Sequence, residues 1–147
     1  MSRPFDATVG KRTLQQGREQ LHQRYRENAN VAAMLRGHCR LVDGLLQQVW
    51  REIALPDSIA LLAVGGYGRG QLFPGSDIDL LVLLPAEKNG VSVIDDAIKS
   101  RLEQWVGLLW DMGLEAGHSV RTLVECQEEA AKDITVQTSF RVKNRVK

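Results

Sequence analysis

Two aspartates one residue apart, Asp77 and Asp79, follow the pair Gly65-Gly66 after ten intervening residues. On an extended segment their carboxylates share one face while Ile78 points to the other. Carboxylates that close repel each other unless a cation lies between them or one is protonated. A hard divalent ion suits such a pair, because it prefers oxygen and readily combines one or two carboxylates with phosphate oxygens and water. Gly65 and Gly66 accept unusual backbone angles and present no side chain to block a ligand. Arg69, in the same bend, carries a guanidinium suited to phosphate. Ser76 leads the chain into the aspartates and joins Gly65, Gly66 and Arg69 as a nucleotide-binding candidate. Glycines for a triphosphate beside aspartates for its metal make phosphoryl transfer the natural chemistry.

Two buried strands are required to position these groups. Residues 60–64 and 78–84 are unbroken apolar runs bounded by Gly and Pro, the pattern of short strands covered on both faces. Between them, residues 67–72 suit a short helical turn whose leading N–H groups face any anion beside the glycines. Taken singly, the glycines also suit a plain tight turn, and the aspartates an exposed strand edge whose charges discourage aggregation. The apolar run after Asp79 argues for a central strand instead.

The string GGYGRGQLFPGSDIDLLVL resembles the active-site signature of the polymerase-beta-like nucleotidyltransferase superfamily. More narrowly, it resembles the N-terminal catalytic domain of bacterial PII uridylyltransferase/uridylyl-removing enzymes. GLEAGHSVRTLVEC, DITVQT and the lead-in LVDGLLQQVW are similar to the same family, so the resemblance covers roughly residues 10 to 138. It implies an α+β fold: a nucleotidyltransferase core with a small mixed sheet flanked by helices, behind an N-terminal helical lead-in. It also implies magnesium or manganese at Asp77 and Asp79 as the catalytic and metal-binding pair. The implied substrate is UTP, and the implied acceptor is a tyrosine of a PII-type signalling protein.

Two departures from that pattern matter. The superfamily places a third acidic residue on a strand beside the aspartate pair, and the HSVR segment has none there. Glu115, His118 and Asp133 are the remaining candidates for a third acid or a general base. A lone histidine on a strand is more often structural. Gln71 stands where related sequences usually have Glu, a change of little consequence for a metal held by the aspartates. Enzymes of the resembled kind continue into an HD-type phosphohydrolase domain and two ACT domains, which these 147 residues do not contain. The expectation is an isolated or truncated catalytic domain without uridylyl removal. The alternatives are a non-catalytic nucleotide-binding remnant, or transfer of another nucleotide to another acceptor.

The flanking sequence divides into a flexible N-terminus over residues 1–10, a helical segment over 11–56, the core over 57–138 and a basic tail over 139–147. Leu14, Leu21 and Tyr25 recur at helical spacing in a first helix from Lys11 to about Asn28. A second helix, capped by Asn30, carries a wide apolar stripe of Leu41, Val42, Leu45, Leu46, Val49, Trp50 and Ile53, which reads as core. Gly37 and Gly44 weaken it, with a break near Gly37 as one outcome. Residues 93–110 form an amphipathic helix closed by Gly113, with Trp105 and Trp110 as anchors against the sheet. A third strand over residues 114–122 is broken by Gly117.

The 147 residues suffice for one domain. A net charge of +1 supplies no global field to attract nucleic acid or anionic membrane. Cys39 and Cys126 lack zinc-ligand spacing and suit free thiols in a reducing cytoplasm, and no apolar span or leader argues for export.

Overall fold

The computed structural model describes residues 5–85 and 94–132. Two long helices, α1 (Ala7–Asn28) and α2 (Val31–Ile53), form an antiparallel hairpin. Between them the chain reverses through Ala29, in left-handed conformation at φ 52°, and Asn30, whose side chain accepts from the Ala33 N–H. The expected flexible stretch 1–10 is corrected at its inner end. Asp6 caps α1 through the Thr8 and Val9 N–H groups, and Gly10 is buried within the helix. A Cβ on Gly10 would lie 2.8 Å from both Phe5 and Met112, so the first turn of α1 is packed into the molecule.

The expected break at Gly37 does not occur, and α2 runs through it without interruption. Glycine there serves contact between helices. A Cβ at Gly37 would stand 2.4 Å from Leu21, and one at Gly17 would stand 2.7 Å from Leu41. Each helix thus receives a leucine of the other over a glycine, which lets the two backbones approach closely.

The apolar stripe of α2 is core. Val42, Leu45, Leu46, Val49 and Ile53 are all buried, each contributing about 1.5–3 kcal/mol of hydrophobic stabilisation. They pack on one face of a three-stranded sheet of β1 (Ala60–Val64), β2 (Ile78–Leu84) and β3 (Ala116–Thr122), ordered β1-β2-β3. β2 runs antiparallel to β1 and parallel to β3, so the sheet is mixed as expected. A parallel pair needs a crossover, and α4 (Asp96–Asp111) lies between β2 and β3 in the chain. Asp95 caps α4, and Gly113, at φ 77°, closes it by donating to the Trp110 carbonyl.

Trp105 is the expected anchor. It is fully buried and meets Trp50 and His118 edge-on, with centroids 5.6 and 5.9 Å apart. Trp110 is not an anchor: it is 79% exposed, on the outward side of the same helix. The alternation of β2 assigns its two faces. Ile78, Leu80, Val82 and Leu84 enter the main core, while Leu81 and Leu83 join Leu62, Val64 and Cys126 in a second cluster under α5 (Leu123–Lys132). Among the described residues, no helix is long and apolar enough to cross a membrane.

Candidate active site

Asp79 lies in the middle strand at the end of the second face that α5 leaves open. It stands opposite Val64 on one side and Gly117 on the other. Gly65 follows Val64 directly. The expected short helix after the glycines instead begins on them: α3 (Gly65–Gly68) is a single turn that starts directly after the last residue of β1. Gly65 takes φ 61° there, in the left-handed region where glycine has no steric cost. The turn is closed by N–H bonds from Arg69 to Gly65, Gly70 to Tyr67 and Gln71 to Gly66.

The space around the Asp79 carboxylate is held open by two glycines on two neighbouring segments. A Cβ at Gly65 would sit 2.8 Å from Asp79 Oδ2, and one at Gly117 would sit 3.4 Å from Oδ1. Gly117 does not break β3. It occupies the register position at which a side chain would crowd the carboxylate. Its place inside a strand pattern was the available signal, since such glycines mark close approach of backbone or ligand.

Partial burial by the strands pushes the Asp79 carboxyl above the usual carboxylate range, and the Asp77 charge pushes it the same way. The pair is therefore electrostatically unsatisfied, with both side chains on the solvent side. Two hard oxygen donors, mutual repulsion and glycine-lined space fit a divalent cation carrying phosphate oxygens.

The other candidates are placed as follows. Arg69 is exposed at the end of α3, its guanidinium 3.9 Å from where a Gly66 Cβ would be. Ser76 is exposed in the turn before β2 and donates its N–H to the Phe73 carbonyl. His118 pairs with Leu80 and lies against Trp105, on the core face, away from the face that carries Asp79. Glu115 precedes β3, where its carbonyl accepts from the Ile78 N–H. Its carboxylate is near enough to Arg18 to favour the arginine's charged form. Asp133 lies outside the described residues. On the Asp79 face β3 offers Gly117, Ser119 and Arg121, and among the described residues no third His, Cys, Asp or Glu completes a metal-binding group.

The family model for the nucleotidyltransferase domain matches residues 46–143, from the last turns of α2 through the glycine turn and the aspartates. The chain belongs to the nucleotidyltransferase family. No solved structure matches it. This nucleotidyltransferase domain is 60% identical over 139 residues to the bifunctional uridylyltransferase/uridylyl-removing enzyme of Nitrosospira multiformis, covering 95% of the chain and 16% of that enzyme. Proteins of the same description in Burkholderia orbicola and Thiobacillus denitrificans are 50% identical over 118 residues and 48% identical over 145. The matches cover 80% and 99% of this chain and 13% and 16% of those relatives. The nucleotidyltransferase domain thus spans a small fraction of the length of the relatives it matches.

Two residues that hold the glycine turn escaped sequence reading. Polar side chains of α2, His38 and Asp43, hydrogen-bond to the glycine turn at Leu72 and Tyr67. They stand 34 and 24 residues from their partners, beyond the reach of any local pattern.

Proposed function

We propose that this nucleotidyltransferase transfers a uridylyl group from UTP to the hydroxyl of a tyrosine on a PII-type signalling protein. The observation that carries transfer is the seating of Asp79 between Val64 and Gly117 with Gly65 at its edge, which brings a carboxylate pair and a side-chain-free turn together. The names of the relatives support the uridylyl group, and through it the PII acceptor.

In this reading the triphosphate lies over Gly65 and Gly66, whose missing side chains admit it, and Arg69 contributes a cationic contact. Asp77 and Asp79 would hold magnesium or manganese, which would neutralise charge on the phosphates and help align the reacting groups. The acceptor oxygen attacks the alpha phosphorus from the side opposite the leaving group. A new oxygen–phosphorus bond forms, the bond to the bridging oxygen breaks, pyrophosphate departs and the hydroxyl releases its proton. No described residue is assigned as the base. The buried Cys39 and Cys126, neither of them in a disulfide, suit a reducing cytoplasm as the setting.

A second reading, nucleotide binding without transfer, is favoured by the two-carboxylate count among the described residues. Alpha-labelled UTP, ATP, GTP and CTP, offered with a purified PII-type protein and magnesium or manganese, separate the two. UTP-specific labelling that disappears in Asp77→Asn supports the proposal. Labelling from another nucleotide reassigns the substrate. Nucleotide binding without labelling by the folded chain overturns transfer in favour of the second reading.

A further inference from the structure

The glycine turn is tied to α2 at both ends. At its start Tyr67 is fully buried, and its hydroxyl donates to Asp43 Oδ1. At its exit the Leu72 carbonyl lies 3.0 Å from Nδ1 of His38, a side chain only 1% exposed. A carbonyl only accepts, so Nδ1 carries the proton. The other ring nitrogen, Nε2, accepts from Arg18 Nε at 3.1 Å, which requires it to be unprotonated. Arg18 belongs to α1 and is itself half-buried; burial disfavours its charge, and the Glu115 carboxylate opposes this more weakly. The chain of contacts therefore runs from α1 through α2 to the backbone of the turn, and both partners of His38 specify one neutral tautomer.

We propose that His38 and Asp43 are positioning residues for the nucleotide-binding turn, holding residues 67–72 in the shape that receives the triphosphate. Neither touches the reacting atoms. The helical hairpin, which supplies neither Asp77 and Asp79 nor the glycines beside them, thereby sets nucleotide affinity. This rests on the reading of the turn as the triphosphate site.

Protonation of His38 at Nε2 removes the acceptor of the Arg18 bond and sets two cations against each other. Burial disfavours its positive charge most; the Leu72 carbonyl favours that charge more weakly, and Arg18 and His22, both from α1, disfavour it. His38 therefore stays neutral to lower pH than an ordinary histidine, and its clamp loosens as pH falls.

The test uses the 147-residue chain with His38→Phe, His38→Asn and Tyr67→Phe. Asn places an amide N–H where Nδ1 stands and does not titrate, so it restores the Leu72 bond. Amide hydrogen exchange at Gly70 and Gln71, whose N–H groups close the turn, reports the clamp without nucleotide. UTP affinity and the split of KM against kcat report its consequence. His38→Phe and Tyr67→Phe should exchange faster at these amides by about tenfold, with β2 unchanged, and should raise KM for UTP by about tenfold with kcat much less affected. His38→Asn should restore both and abolish the loosening that wild type shows at acidic pH. Unchanged turn exchange in folded His38→Phe and Tyr67→Phe overturns the clamp. A loosened turn with unaltered UTP affinity overturns its role in binding. Absence of UTP binding by wild type counts against the triphosphate site itself, and the exchange data then still decide the clamp.

Discussion

A Cβ added to Gly65 would lie 2.8 Å from Oδ2 of Asp79, nearer than real Cβ atoms come to other heavy atoms. The two residues come together because β1 ends opposite Asp79, so the turn that leaves β1 passes beside the carboxylate. Gly65→Ala therefore displaces the aspartate and also forces alanine into φ 61°, a conformation costing about 1–2 kcal/mol. Transfer should fall by about 100-fold, the scale of a small misplacement of a catalytic group. Gly117→Ala meets Asp79 at 3.4 Å without a positive φ, so its loss should be much smaller. Initial rates of label transfer and thermal melts of both variants test this order.

Asp79→Asn separates activity from stability. Label transfer should drop by about 100-fold or more, because one of the two carboxylates proposed to hold the metal is gone. The metal-free protein should become slightly more stable at neutral pH, since burial and the Asp77 charge both disfavour ionised Asp79 in the fold. The pH dependence follows from the raised folded value. In the window between the ordinary aspartate range and that value, the folded chain binds more protons than the unfolded chain, so this residue's contribution to stability rises as pH falls. The stability difference between variant and wild type should shrink through that window. Denaturant melts in chelator at several pH values measure it, and a wider gap at low pH would contradict the assigned shift.

Removal of divalent ions by chelator should abolish transfer, and magnesium or manganese should restore it. The same ions should raise the melting temperature of wild type, because a ligand that binds only the folded state stabilises it. Asp77→Asn and Asp79→Asn should lose most of that rise. Equal thermal shifts in all three proteins would mean the ion binds elsewhere.

The two interior glycines of α2 should respond oppositely to alanine. Nothing lies within 4 Å of a Cβ at Gly44, so Gly44→Ala gains about 0.5–1 kcal/mol from helix preference alone. Gly37→Ala has the same local gain, yet its Cβ meets Leu21 at 2.4 Å, so the leucine must move out of the contact between the helices. It should destabilise, by about 1–3 kcal/mol as overpacked contacts do. Urea melts of the pair give both signs in one experiment.

Much of the framework was legible residue by residue. The apolar runs announced β1 and β2, the stripe from Leu41 to Ile53 announced the buried face of α2, and Asn30 and Gly113 marked helix ends where they occur. The one-residue spacing of Asp77 and Asp79 pointed to the proposed chemistry. These features are local, because side-chain period and capping depend on neighbours a few residues away. Tertiary structure alone decided what surrounds them. Gly117 guards Asp79 only because β3 pairs with β2 in one particular register, and a shift of one residue would have put His118 there. The same register turned His118 toward Trp105, while the facing of α4 left Trp110 in solvent. The tie from Arg18 through His38 to Leu72 exists only once the hairpin has docked on the glycine turn. Registers and docking are set by hydrogen bonds and packing summed over distant segments, and no local pattern encodes them.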